Sequence, residues 1–566
     1  MQRRALEGQG PSSKWALAPA LAFVAVFLAA QLALIPRLNA NWDEYFFLSH
    51  VYAHDADRLA DPMQTFHVHL FSWLPSVGSG EVDQIVAARF VMLLLELASL
   101  GCVYAIARNF STTQDAAYAV AIWCGFGFAL AHGMAFRSDP IASAAMMGAL
   151  ALLSRPTLRL WQAMLAGLLG SLAVLVTIKS VLYLPAFVAV GILWLSRSMA
   201  WKPLLLRAFS ALLTFGLAVL AFYLWHAQAV IGLGETGAAA VGPAPAALDR
   251  AGDHAGSSAR KMFDLFLPRQ EDVLRWAALS LVPLGILGLS IAIAIRGLFA
   301  PSNRYFAFAF LLFGAPLASV LVYRNAFPYF FPFITFPVVL AALPGIARLD
   351  TKWRNLLLVP MAAMLLMQFA LNWQRDQVTQ RATGEVAYRM FPESVSYLDR
   401  NGMLARYPMV GGFGSTWGLG GSRTSPRYAT IIERHQPPLL IANTPVFQKA
   451  LDPEFAYPDR WLSNADEQAL RETYIHHWGL IYVAGKQLDR LFGSFVLPIA
   501  GEYTLECTGV RLVDGKTHDC GELVELSRGK HSWSGGRMTL RWGDRLYRPQ
   551  AVAPTQPIYY GYFSAD

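Results

Sequence analysis

Residues 16–46 read ALAPALAFVAVFLAAQLALIPRLNANWDEYF. Residues 16–36 are apolar over the ~20 positions that a bilayer-crossing helix needs. Directly behind them, Asn41-Trp42-Asp43-Glu44-Tyr45-Phe46 carries two adjacent acids among aromatic residues. Taken alone, an acid pair here reads as a solvated helix cap. Abutting a membrane, it is partly desolvated, which raises a carboxylate's pKa and suits a general base.

The rest of the chain repeats the apolar theme. Of 566 residues, 55% are hydrophobic and only 15% charged, against roughly 25% charged in soluble domains. This excludes a soluble enzyme, a disordered chain and a fibre. The net charge of +8 does not signal a nucleic-acid partner. Lys and Arg stand singly or in small groups between apolar runs, as membrane-flanking charges do. Further runs lie near 85–107, 115–135, 139–154, 160–178, 181–196, 208–230, 273–295, 305–323, 327–347 and 355–372. The expectation is a mostly α polytopic membrane protein of about eleven transmembrane helices. Residues 160–196 read either as two spans broken at Lys179-Ser180 or as one helix plus a re-entrant piece.

Alternate loops are short and basic, holding Arg108, Arg155 and Arg159, Arg296 and Arg304, and Arg348, Lys352 and Arg354. The positive-inside rule makes these cytoplasmic, with the N-terminus. The opposite set holds the first external loop 37–84, a later one at 231–272 and everything past 373. The localisation expected is the cytoplasmic membrane, with an extracytoplasmic C-terminal region. Residues 1–375 form the membrane domain in this reading. Residues 376–490 read as mixed α/β, and 491–566 as a small β-sandwich of alternating strands with Gly and Asp-Gly turns. Cys507 and Cys520 both fall in this last segment, outside the cytoplasm, and are expected to form a disulfide across neighbouring strands.

The outer-side loops collect the chemistry. His50 and His54 are one helical turn apart, but no third ligand accompanies them, so zinc is not favoured. Phe136-Arg137-Ser138-Asp139-Pro140 marks a helix start. Lys179 interrupts an apolar stretch, where a mid-bilayer charge costs ~2.5–3.5 kcal/mol or more. Arg324 precedes the aromatic segment Phe327 to Pro332. Each has an innocent explanation, but all fall on one side of the bilayer. Cations at such a depth can hold and neutralise a lipid-linked phosphate as a leaving group, without a divalent metal or other cofactor. The glycine-rich run 411–421 lacks the Gly-Lys-Ser/Thr ending of a phosphate loop.

At these residues the chain resembles the GT-C superfamily of membrane glycosyltransferases, which includes protein O-mannosyltransferases and the bacterial lipid A aminoarabinose transferase. The acid pair matches Asp43-Glu44, and the Arg that begins the second span matches Arg89. An Arg-x-Asp element matches Arg137-Ser138-Asp139, a Thr-x-Lys element matches Thr177-Ile178-Lys179, and a late Arg-aromatic-Pro segment matches Arg324 to Pro332. A His-Pro-Pro-Leu-like element is met only by His67-Val68-His69-Leu70, without the prolines. The resemblance implies an inverting transfer from a polyprenyl-phosphate-linked sugar to a lipid, polysaccharide or protein acceptor. It implies Asp43 as general base, with Glu44 assisting or structural, and Arg137 and Asp139 bordering the sugar. Lys179 and Arg324 would hold the phosphate, and His67 would sit in the acceptor loop. The β segment is similar to carbohydrate-binding sandwiches, with Trp533 and Trp542 either stacking on sugar or packing in its core. The alternatives are a transporter or flippase, which needs charges along a path through the bilayer, and a glycan-binding envelope scaffold.

Overall fold

The computed structural model describes residues 17–59, 62–196, 201–231, 266–301, 303–412, 425–457 and 461–559. Most of the later external loop (232–265) and most of the glycine-rich run therefore lie outside the described residues. The chain divides into two compact units. The first comprises residues up to Arg37, His54–Leu74 and Val86–Gln374, and the second Leu38–Ala53, Pro75–Ile85 and Arg375 onward. The first external loop thus does not belong wholly to the membrane domain: its stretches 38–53 and 75–85 fold with the C-terminal unit.

The first unit is helical. Among the described residues, six helices are long and apolar enough to cross a membrane, including Glu81–Arg108, Trp201–Gln228 and Leu281–Leu298. Shorter apolar helices occupy Ala18–Leu34, Ser138–Leu153, Leu160–Val176 and Phe330–Ile346. The run at 115–135 is not one span. Its helix, Thr113–Cys124, opens on a Thr112–Asp115 capping box and stops at Gly125. A four-residue helix, Ala129–His132, follows the left-handed Phe128. Side chains at Gly125 and Gly127 would run into Met361 and Leu279, so close packing holds this break. Likewise, 160–196 is two helices. Leu160–Val176 ends at an extended Thr177, a 3-10 turn covers Ile178–Tyr183, and Leu184–Ser196 follows.

The apolar helices bury an aromatic centre in which Trp123 stacks on Phe336 (4.2 Å between centroids) and meets Phe27 edge-on (6.1 Å). Gly167 lets helix Leu160–Val176 approach the backbone of helix Trp201–Ile231 near Ala211, the small-residue packing that replaces hydrophobic drive between membrane helices. Gln31 donates to both carboxylate oxygens of Glu96 (3.1 and 3.0 Å), tying helix Ala18–Leu34 to Glu81–Arg108.

The second unit is built on sheets. Its strands are β1 (Tyr397–Leu398), β2 (Leu439–Ile441), β3 (Tyr474–Trp478), β4 (Ile481–Leu488), β5 (Phe492–Leu497), β6 (Gly501–Glu506), β7 (Val510–Val513), β8 (Lys516–Asp519), β9 (Leu523–Leu526), β10 (Gly529–Ser534) and β11 (Met538–Trp542). One sheet runs β1-β2-β4-β11-β6-β9 with β3 also on β4, and the other runs β5-β10-β7-β8. Alternating residues of both sheets, including Phe495, Tyr503, Val524, Trp533 and Leu540, share one core, as in a sandwich. The boundary expected at 490/491 is absent. β4 pairs with β2 on one edge and β11 on the other, so one sheet crosses it. Trp533 is a core residue, and Trp542 packs at the core's edge with its ring N–H on the Ala500 carbonyl (3.3 Å). Cys507 and Cys520 are disulfide-bonded. Cys507 follows β6, and Cys520 stands between β8 and β9, the strand that pairs with β6.

Candidate functional site

In the first unit the structure brings Arg137, Asp139 and Lys179 together. Arg137 caps helix Ser138–Leu153 in an extended conformation, and Asp139 and Pro140 sit in that helix's first turn. An acid there is favoured by the unpaired N–H groups of the helix start, and a proline loses nothing there. Lys179 arrives from the 3-10 turn that follows the break at Thr177. The lysine Nζ pairs with Asp139 Oδ1, and Arg137 Nε lies 3.3 Å from Asp139 Oδ2. All three residues are buried. The Arg137 guanidinium lies 3.4 Å from the Tyr329 ring centroid, and Lys179 Nζ lies 5.4 Å from the same ring. Tyr329 precedes helix Phe330–Val338. Two cations thus share one carboxylate among aromatic walls, where low polarity strengthens electrostatic attraction.

Arg324 is half-buried in the turn before Tyr329. Its neighbour Tyr323 stacks on Phe330 (4.4 Å). His67 is fully buried in the short helix His67–Phe71. That helix packs through Phe71 on Phe136 (4.9 Å), the residue before Arg137. His69 bonds His226 (2.8 Å) and lies 4.9 Å from the His54 ring. Among the described residues no three His, Cys, Asp or Glu side chains are grouped to hold a metal ion.

In the second unit the acid pair opens helix Trp42–Asp55, and the two acids differ. Glu44 is fully buried. Its Oε2 accepts the Asn41 N–H (2.9 Å) while Asn41 Oδ1 accepts the Glu44 N–H (3.1 Å). This is a reciprocal capping box, a structural task for Glu44. Asp43, one position earlier, is half-buried in the same first turn. The approach to the turn is pinned. Ala40 donates to Gln380 Oε1 (2.9 Å), Gln380 Nε2 donates back to the Ala40 carbonyl (2.6 Å), and Gln377 donates to the Leu38 carbonyl (2.9 Å). On the same helix, His50 meets Phe46 edge-on at 4.2 Å, and burial pulls its pKa down to about 4.

A buried polar cluster that sequence reasoning missed lies behind Trp42. It comprises Asp399, Arg400, Asn401 and Asn443. Burial pushes the Asp399 carboxyl up to about 6, against hydrogen bonds that hold it down. The run Asp399-Arg400-Asn401-Gly402 carries the Asp, Asn and Gly of a turn, but nothing in the sequence names its partner. Tyr329 was also unread, although it lies inside the quoted aromatic segment.

No family model and no curated sequence matches the chain. Among solved structures the chain is similar to ArnT from Cupriavidus metallidurans bound to undecaprenyl phosphate, with 14% identity over 78% of this chain and 96% of that one, at a TM-score of 0.52. It is also similar to the oligosaccharyltransferase AglB from Archaeoglobus fulgidus in complex with an inhibitory peptide and a dolichol-phosphate, with 12% identity over 90% and 76% of the chains, at a TM-score of 0.47. The chain thus has the fold of ArnT, a GT-C membrane glycosyltransferase.

Proposed function

We propose that the protein is an inverting glycosyltransferase that moves a sugar from a polyprenyl-phosphate donor to an acceptor hydroxyl on the outer side of the cytoplasmic membrane. The observation that carries this reading is the buried cluster of two cations, Arg137 and Lys179, on Asp139 beside Tyr329. A sugar phosphodiester is a monoanion, and Lys and Arg side chains in a dry site can stabilise it without a metal. The shared fold with ArnT, whose structure holds undecaprenyl phosphate, supports the donor class.

The residues divide the work as follows. Asp43 takes the proton of the acceptor hydroxyl. The acceptor oxygen attacks the anomeric carbon with inversion, the bond between that carbon and the phosphate oxygen breaks, and polyprenyl phosphate leaves with the bonding pair. Lys179, Arg137 and Arg324 stabilise that leaving group, and Asp139 keeps the first two cations in place. Glu44 serves the cap that fixes the helix start. The acceptor class stays open among lipid, polysaccharide and protein.

The test is release of undecaprenyl phosphate from a panel of undecaprenyl-phosphate hexoses and pentoses by full-length protein in nanodiscs. Asp43→Asn is expected to abolish release while binding undecaprenyl phosphate like wild type. Lys179→Ala and Arg324→Ala are expected to weaken that binding at least tenfold. Wild-type release by Asp43→Asn removes the base assignment, and unchanged binding by both cation variants removes the phosphate assignment. Chelator-treated protein is expected to retain full activity.

A further inference from the structure

We propose that Asn401, together with Arg400, is a positioning element that clamps Trp42 and thereby sets the direction of the Asp43 carboxylate. The inference rests on the reading of Asp43 as base and names what holds it.

The clamp begins as a turn after β1. Asp399 Oδ1 accepts the backbone N–H groups of Asn401 (3.0 Å) and Gly402 (2.8 Å). Its Oδ2 accepts those of Met403 (2.7 Å) and of the Asn443 amide (3.1 Å). Gly402 closes the turn in the left-handed region at φ +79°, and a Cβ there would meet Ser49 Cβ at 2.8 Å. The turn therefore lies directly against the acid-bearing helix, two helical turns beyond its start.

Its other end grips Trp42 twice. Asn401 Nδ2 donates to the Trp42 carbonyl (3.2 Å), and the Arg400 guanidinium lies 3.7 Å over the Trp42 ring. Asn401 is itself locked. Its Nδ2 also donates to Tyr559 Oη (2.7 Å), and its Oδ1 accepts from Asn443 (2.6 Å). With carbonyl and ring both held, the peptide that joins Trp42 to Asp43 has one orientation. A rotation there would swing Asp43 by ångströms, and misplacement of a reacting group by ~1 Å can cost about a hundredfold in rate.

Folding alone does not call for this construction. A guanidinium, a carboxylate and two amides are buried in one place, where apolar residues of similar volume are often as stable or more so. What a hydrogen-bonded polar network adds is rigidity, and here it bears on the residue before the acid.

The experiment uses full-length protein in nanodiscs with Asn401→Ser, which cannot reach the Trp42 carbonyl, and Arg400→Met, which keeps length without charge or plane. Hydrogen exchange is followed at 41–48 and across 375–559, alongside undecaprenyl phosphate binding and donor turnover. The expected result is exchange at least tenfold faster, confined to 41–48, turnover down at least tenfold and binding within twofold of wild type. Wild-type exchange at 41–48 in both variants overturns the clamp, as does exchange that rises equally throughout 375–559. If Asp43→Asn proves fully active, the base reading fails on its own, and the clamp is judged by exchange alone.

Discussion

Glu44 and Asn41 hold each other's backbone N–H groups across the first turn of the acid-bearing helix, at 2.9 and 3.1 Å. Glu44→Gln preserves this box, since Gln serves at the same position. It is expected to leave sugar transfer within a few-fold of wild type. Glu44→Ala loses the cap and is expected to cost about 1 kcal/mol of stability, read as a lower thermal midpoint in detergent. A Glu44→Gln variant as inactive as Asp43→Asn would return Glu44 to the chemistry.

The ion pairs on Asp139 predict a non-additive pattern. Asp139→Ala strands two buried cations, and breaking a buried pair from one side costs ~3–5 kcal/mol. The double variant Asp139→Asn/Lys179→Met removes both charges and is expected to be more stable than Asp139→Ala. Thermal unfolding of the three proteins checks the order.

Proton linkage gives a third prediction. Burial lowers the pKa of His50, His69 and His477 to about 4, with the His54 charge adding to the effect on His69. The unfolded chain takes up these protons from about pH 6.5 downward while the fold resists them. The stability they contribute is whole above that value and drains as pH falls toward 4. Asp399, raised to about 6, works oppositely: its contribution is present at low pH and lost as pH rises through 6. Three histidines outweigh one aspartate, so the thermal midpoint is expected to drop between pH 7 and pH 5. His50→Gln and His477→Gln should flatten that slope, and a midpoint that rises on acidification refutes the assignment.

The Cys507–Cys520 bond spans a sequence separation of 13. A loop near this length contributes about 3 kcal/mol by chain-entropy arithmetic. The Cys507→Ser/Cys520→Ser variant is expected to exchange amide hydrogens faster in β6–β9 and to leave helices Ser138–Leu153 and Leu160–Val176 unchanged. Equal protection in both proteins would show that these strands need no staple.

Much of this was legible in the sequence because the bilayer imposes its own rule: a spanning helix must be long and apolar. Residues 160–196 already carried their break, since Lys179 cannot sit mid-helix in lipid cheaply. The interruption at Gly125–Phe128 was hidden because glycine is common in membrane helices, and only the approach of Met361 and Leu279 makes it a stop. The 490/491 boundary misled because β4 finds β11 some fifty residues later, a pairing with no local signature. Glu44 was the reverse case. Asn-x-x-Glu before an aromatic helix is a readable cap, and the attraction of a paired acid obscured it. Arg400 and Asn401 were invisible as partners of Trp42, because tertiary contact alone joins positions so far apart.

Gln380 donates to the Ile558 carbonyl as well as to Ala40, and Tyr559 completes the bonding of Asn401. The ribosome reaches these residues only after the described apolar helices have been made. Translation products that stop short of 558 would still insert into the bilayer, yet the turn carrying Asp43 would be left slack. Chains cut short before 558 are therefore expected to be abundant and membrane-embedded but inactive in sugar transfer.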